Sequence, residues 1–276
     1  MGMNSINTNV GAMTALQNLN TIAGELKTTQ DRISTGRRVD TSRDNGAIWA
    51  IAQGQRSQSS SMNAVKDSLR RGQSITDVAL AAGATISDLL NAMKEKALAA
   101  SDTTLTTASV TALNEDFKAL RDQITKAVTN ATFDGANLIK SGGTSIAALA
   151  SADGGSKMTI SAVNLSLGST TVTVAATASF NTSTSAAALV TTVGTSITNL
   201  NAALAKIGTK AKSLDAYLTF AGKLQDSLDN GIGNLVDADL AKESARLQSL
   251  QAKQQLGVQA LSIANQSTSI LQNLFR

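Results

Sequence analysis

No proline occurs anywhere in this 276-residue chain, where average usage would place about 14. Proline ends or kinks a helix by removing an amide donor and clashing with the preceding turn, so a chain without it can run unusually long helices. Apolar residues use that freedom, recurring at helical spacing through Ile48, Trp49, Ala52, Met62, Val65, Leu69, Val78, Ile86, Leu89, Leu90, Met93 and Ala97. The spacing predicts one helix from about Asn45 to Ala99, roughly 80 Å long.

The rest of the chain falls into place around that rod. A first helix stops at Ser34-Thr35-Gly36, where Gly36 suits a left-handed cap, and Thr41, Ser42 and Asp44 offer N-caps for the long helix. After Ser101-Asp102-Thr103 a third helix runs through Leu105, Leu113, Phe117, Leu120, Ile124 and Val128 and closes at Phe133-Asp134-Gly135. Helical spacing returns from Leu189 through Leu200, Leu214 and Leu228; Gly231 and Gly233 are expected to loosen the chain before a terminal helix. Between Ser141 and Ser196, 22 of 56 residues are Ser or Thr and only Asp153 and Lys157 are charged. Alternation at Met158, Ile160 and Ala162, then at Val163, Leu165 and Leu167, and again at Val172, Val174, Ala176, Ala178 and Phe180, reads as a small hairpin turning at Gly168-Ser169-Thr170 with a bulge near Val163. The expected fold is mainly α: a long antiparallel helical coiled-coil bundle with paired terminal helices and a small β-hairpin insert.

The two ends share an odd composition. Met1 to Gly24 and Gln254 to Phe275 carry no charged side chain, yet both have helical seams. At the N-terminus Asn9, Leu16, Ala23 and Gln30 form one heptad column and Ala12, Leu19, Leu26 and Ile33 the other, flanked by Ile6 and Met13; six of the eight positions are apolar. At the C-terminus the columns are Leu240, Leu247, Gln254, Leu261, Thr268, Phe275 and Val236, Glu243, Leu250, Gly257, Ala264, Leu271, with Leu274 close by; eight of twelve are apolar. The remaining faces are Asn, Gln, Ser and Thr where ordinary soluble coiled coils use Glu and Lys. Amides and hydroxyls can be buried when a partner satisfies them, whereas like charges repel, so these ends suit packing against copies of the same chain. Neither end has the run of about 20 apolar residues that a membrane span needs. The first 20 residues also lack the basic start and continuous apolar stretch of a secretory signal.

Most catalytic chemistry is excluded by composition. The chain has no His and no Cys, which removes Cys/His zinc sites, thiol nucleophiles, Ser-His-Asp triads and the HExxH zinc-protease motif. Asp237, Asp239 and Glu243 lack the ligand series of a calcium loop and read as helix-start carboxylates. Gly231-Ile232-Gly233 lacks the third glycine and the leading strand of a dinucleotide fingerprint. Lone Trp49 and Tyr217 read as helix-packing residues. No enzyme activity and no cofactor are expected. Net charge is only +4 and aromatics are 3% of the chain, and the densest basic stretch, Arg32, Arg37, Arg38 and Arg43, is diluted by Asp31, Asp40 and Asp44, so nucleic-acid binding is not expected. Those arginines read as a solvated segment or an intersubunit salt-bridge site.

Short motifs, in order, resemble bacterial flagellin. Ile6-Asn7-Thr8-Asn9 is similar to that family's N-terminal motif, Arg32-Ile33-Ser34-Thr35-Gly36 to its Arg-Leu-Ser-Ser-Gly, and Arg43-Asp44-Asn45-Gly46-Ala47 to its Lys-Asp-Asp-Ala-Ala. Phe133-Asp134-Gly135 resembles Phe-Asn-Gly, Asp237-Ala238-Asp239 resembles Glu-Asp-Ala-Asp, and Ala264-Asn265-Gln266 and Leu274-Phe275-Arg276 resemble the C-terminal Ala-Asn-Gln and Leu-Leu-Arg. The resemblance covers about residues 1–140 and 186–276. It implies a filament subunit with terminal helices in an inner tube (D0; 1–40 and 236–276), long helices in the next shell (D1; 41–140 and 186–235) and a short variable insert (141–185). Ile6, Met13, Leu16, Leu19, Leu26, Ile33, Leu247, Leu250, Leu261, Ala264, Leu271, Leu274 and Phe275 are then the expected polymerisation residues. The resemblance also implies export without a cleaved signal through the flagellar type III apparatus, an export chaperone, cap and junction proteins as partners, and an extracellular location in the flagellum. A hook-filament junction protein would share the terminal helices, and a signalling or tethering coiled coil would show sustained Glu-rich heptads. In family members sensed by a toll-like receptor the matching helix reads Leu-Gln-Arg-Val-Arg-Glu-Leu, but here it reads Leu90-Asn91-Ala92-Met93-Lys94-Glu95-Lys96. An arginine has become Ala92 and a leucine Lys96, so weak sensing is expected. The Ser/Thr-rich insert is a place for O-glycosylation.

Overall fold

A computed structural model describes residues 8–274, with side chains described through residue 266. Ile6 and Phe275 lie outside the described residues, and Leu271 and Leu274 are described in backbone only. The element order is α1 (Val10–Thr35), α2 (Gly46–Ala100), α3 (Thr107–Asn130), β1 (Ile146–Leu149), β2 (Lys157–Ile160), α4 (Ser183–Val236) and α5 (Leu240–Leu274). The chain divides into a terminal unit, Met1–Ser57 with Ser227–Arg276, and a central unit, Gln58–Asp226.

In the central unit, α2 and α4 run antiparallel. Gln73 donates to Asp215 at 2.6 Å and Gln225 to Asn63 at 3.2 Å. Gly83 marks the tightest approach, since a Cβ there would sit 2.2 Å from Leu204 Cδ2. The glycine is the notch that lets Leu204 interdigitate. The core gathers Leu69, Ile86, Leu90 and Met93 from α2, Phe117 and Ile124 from α3, Val193, Leu200 and Leu214 from α4, and Ile160, Leu165, Val172 and Phe180 from the insert. Thr106 caps α3 by accepting from the Ser109 amide, and Asp102 holds the preceding turn by accepting from Thr104. Those bonds to its charged form, chiefly the Thr104 amide, depress the Asp102 carboxyl below its ordinary pKa.

The insert contains a small antiparallel hairpin, but not where alternation placed it. β1 pairs with β2 in the register Ile146 to Ile160, whereas Gly168 sits in a loop with only an isolated bridge from Leu167 to Val172. Within residues 163–180, Leu165, Val172, Val174 and Phe180 are buried without a partner strand, while Ala176 is exposed. The amides of this stretch go elsewhere: Leu165 to Ile139 O, Thr173 to Ser196 Oγ and Phe180 to Asn114 Oδ1. Buried Asn137 ties the insert to α3, its amide donating to Val128 O while its carbonyl accepts from Ile139 and Lys140.

The terminal unit takes the first turns of α2 and the last of α4. Gly36 adopts the predicted left-handed cap at φ 70°. The strap beyond it is bonded to the end of α4, with the Arg38 and Val39 amides donating to Val236 O and the Ala238 amide to Gly36 O. Val39, Ala52, Ile232 and Val236 form a small core against which Ile48, Trp49 and Leu235 pack. Two local expectations are corrected. The α2 amide of Ile48 is capped by Asn45, while Asp44 instead accepts from Thr41 and Asp40 within the turn. Gly231 and Gly233 do not break α4, which runs through them to Val236. Burial of Ile232 and Val236 outweighs a cost of about 1 kcal/mol per helical glycine.

Candidate assembly surface

α1 and α5 pair antiparallel along one seam. Asn9 Nδ2 donates to Ala264 O at 2.8 Å, a Cβ on Gly257 would lie 3.2 Å from Leu19 Cδ1, and Arg32 Nη1 lies 3.2 Å from Glu243 Oε1. On α5 the covered positions are Glu243, Leu247, Leu250, Gly257, Leu261 and Ala264, as the heptad columns predict; Gln254 and Leu240 are exposed. On α1 only one column is the seam. Ala12, Leu19, Leu26 and Ile33 are covered, joined by Ala15, Ile22 and Thr29, whereas Leu16, Ala23 and Gln30 stand exposed. The covered set is itself a strict heptad; its second column, Ala15, Ile22 and Thr29, lies one residue from the expected one, and one residue turns a side chain by about 100° around the helix.

Apolar side chains are thereby left facing outward. Val10 and Met13 on α1 and Leu256, Val258 and Ile263 on α5 are each more than half exposed, and Leu16 nearly so. Val10, Met13 and Leu16 line a shallow groove of about 810 Å³ whose other walls are Thr8, Thr14, Gln17, Asn20 and Thr21. No lining residue is charged. Val10, Met13 and Leu16, exposed around a groove with no charged lining, have the composition of a surface meant to be covered.

Three of the four arginines of the basic stretch are engaged within the chain. Arg32 is paired within the chain to Glu243, whose second carboxylate oxygen is buried without a hydrogen bond among the described residues. Arg37 pairs with Asp40, and Arg38 donates to Leu235 O. Only Arg43 of the four makes no ion pair or hydrogen bond among the described residues. Arg32, Arg37 and Arg38 thus brace the terminal unit itself. Asp239 caps α5 by accepting from the Ala241 and Lys242 amides, the role read from its position.

No helix among the described residues is long and apolar enough to cross a membrane. Residues 6–144 match the model of the bacterial flagellin N-terminal helical region, and residues 190–275 that of the bacterial flagellin C-terminal helical region. The chain belongs to the bacterial flagellin family. Flagellin FljM of Caulobacter vibrioides is 59% identical and flagellin FljO 58%, each over the whole of both chains. A flagellin of Brucella melitensis is 37% identical over 99% of this chain and all of its own length. Flagellins are structural proteins, which fits a surface built of seams and grooves. In this flagellin, Leu247, Leu250, Leu261, Ala264, Leu19, Leu26 and Ile33 close the pair of terminal helices on itself, while Met13 and Leu16 face away from that contact.

Proposed function

We infer that this chain is the structural subunit of a bacterial flagellar filament, polymerising through its terminal helices. The observation that carries the reading is the charge-free apolar groove at Val10, Met13 and Leu16 of α1, with Leu256, Val258 and Ile263 of α5 also exposed, left open after the two helices have closed their own seam. A subunit with one seam satisfied internally and another unfilled needs neighbours, and identical copies around an axis can supply them. Residues 1–40 and 236–276 are assigned to the inner tube, 41–140 and 186–235 to the next shell, and 141–185 to the variable insert. Its location is extracellular, reached through the flagellar type III apparatus, with an export chaperone and cap and junction proteins as partners. Purified chain concentrated at neutral pH and viewed by electron microscopy is expected to form long filaments of constant diameter. Discrete short rods at every concentration would count for a tethering coiled coil instead.

Weak receptor sensing is proposed alongside it. Leu90 and Met93 are core residues, Ala92 is half-buried, and Asn91, Lys94 and Glu95 are exposed. Lys96 donates to Asp116 at 2.8 Å, and that bond, with the carboxylate's charge, raises its ammonium pKa. The residue replacing the family's leucine is a fixed cation engaged on α3. Monomer applied to cells reporting on the flagellin-sensing toll-like receptor should therefore activate them at least about tenfold less than a flagellin with the Arg/Leu pattern, the scale of one lost hot-spot residue. Equal potency would contradict it.

A further inference from the structure

Between β2, the loop that follows it and α4 of the central unit lies a pocket of about 370 Å³. Ile160 and Ile207 are buried at its floor, and half-buried Val163 forms one wall. The insert side is held by its own backbone: β2 is paired to β1, the Ala162 amide donates to Ser145 Oγ, and the Val163 amide donates to Leu138 O. A concavity fixed in this way needs little reordering to take a ligand. Its volume falls near the lower end for small-molecule sites, about 300–1,000 Å³.

The rim carries charge of one sign. Lys206 and Lys210, one turn apart on α4, stand there with Ser161 and Thr209, and neither lysine has an ion pair or a hydrogen bond among the described residues. Residues four apart on a helix lie about 5–6 Å apart at Cβ, so one carboxylate can accept from both ammoniums. Nearby acids do not answer them. No Asp or Glu occurs in residues 183–214, and Asp153 of the insert is held in its own turn by the Ser151 hydroxyl and the Gly155 amide. Asp215 accepts from Gln73 of α2. The same register, with Gly83 against Leu204, sets Asp77 of α2 at the level of Lys210, and Asp77 makes no ion pair among the described residues. Like charges at this spacing disfavour a helix, and an anion between them removes the repulsion. Lysine stems lie along apolar surface while their heads reach water, so these two side chains supply wall and charge together.

We propose that this pocket binds a medium-chain carboxylate, its alkyl tail over Ile160, Val163 and Ile207 and its head between Lys206 and Lys210. A cationic head would meet two ammoniums, and a small inorganic anion would leave the apolar floor unused. The site is independent of the assembly reading, because floor, wall and rim all belong to the central unit of one copy.

Calorimetric titration of the full chain with sodium decanoate, below the concentration at which it forms micelles, should show saturable binding at one site. Decylamine, with the opposite charge, and butyrate, without the tail, should each bind at least about tenfold more weakly. Lys206→Gln with Lys210→Gln should weaken decanoate at least about tenfold. Thr209→Trp, which fills the mouth from an exposed helix position, should abolish binding. In the parent chain decanoate should shift the methyl NMR signals of Val163 and Ile207 before those of Val10 and Leu16, a readout that needs no variant. Absence of saturable binding overturns the proposal. Decylamine binding as tightly as decanoate also overturns it, as the mark of a detergent-like interaction. So does undiminished binding by the folded variants, or first shifts at Val10 and Leu16, which would put the ligand in the α1 groove instead.

Discussion

Removing Leu261 to Arg276 is expected to abolish filament formation at concentrations where the whole chain polymerises fully, while the central unit stays folded. The truncation deletes Leu261 and Ala264 from the α1/α5 seam, together with the bond from Asn9 to Ala264 O. It also removes Ile263 from the outward face. Loss of the seam residues uncovers the start of α1, and an uncovered helix of this composition is marginal in water, because most helical stability comes from packing an amphipathic face. A neighbour would then meet a frayed end instead of a formed groove. None of the central core residues is touched, so circular dichroism should retain most of the helical signal and a cooperative melt. Filaments of normal length from the truncated chain would sink the assignment of the terminal helices as polymerisation elements. A loss of all cooperative unfolding would instead show that the central unit depends on the C-terminus.

Legibility in the sequence followed the strength of each physical signal. Long helices were readable because periodicity accumulates over many turns, and α2 begins and ends within one residue of its expected limits. The α5 seam was readable for the same reason. On α1 the heptad columns captured Leu19 and Leu26 but placed Leu16 in a contact it does not make. A strict seven-residue column cannot distinguish a seam from its neighbouring face when both are apolar, and here the second face is the one that points outward. The hairpin was found in kind but not in place, because alternation reports one-sided burial and not a hydrogen-bonded ladder. Val172, Val174 and Phe180 are buried from an extended loop whose amides are met by Asn114, Ser196 and neighbouring turns. Caps depended on a single residue, and Asn45 displaced Asp44 because the aspartate was engaged by Thr41. The ion pair of Arg32 with Glu243 spans 211 positions and leaves no local trace.

Phe117→Ala is expected to be among the most damaging single substitutions in the central unit, destabilising the monomer by about 3–5 kcal/mol. Phe117 on α3 is fully buried, and its ring meets Phe180 of the insert edge to face, with centroids 5.3 Å apart and planes at 66°. Aromatic residues are scarce in this chain, so little else can refill that volume. The backbone around the pair is fixed too: the Phe180 amide donates to Asn114 Oδ1 and Arg121 Nη1 to Ala178 O. Partial collapse of the cavity would strain both bonds, which keeps the cost toward the upper end for such a deletion. Urea unfolding of the monomer measures it as a fall in midpoint at unchanged slope. Phe180→Ala should show a similar loss, and the double variant should lose less than the sum by about 0.5–1.5 kcal/mol, the coupling of an edge-to-face pair. A single-variant loss under about 1 kcal/mol, the size of an ordinary surface or conservative change, would mean that the insert is not anchored on α3 through these rings. Other docking bonds, such as those from Leu149 to Ser68, from Thr173 to Ser196 and from Tyr217 to Ala150 O, would then have to carry it.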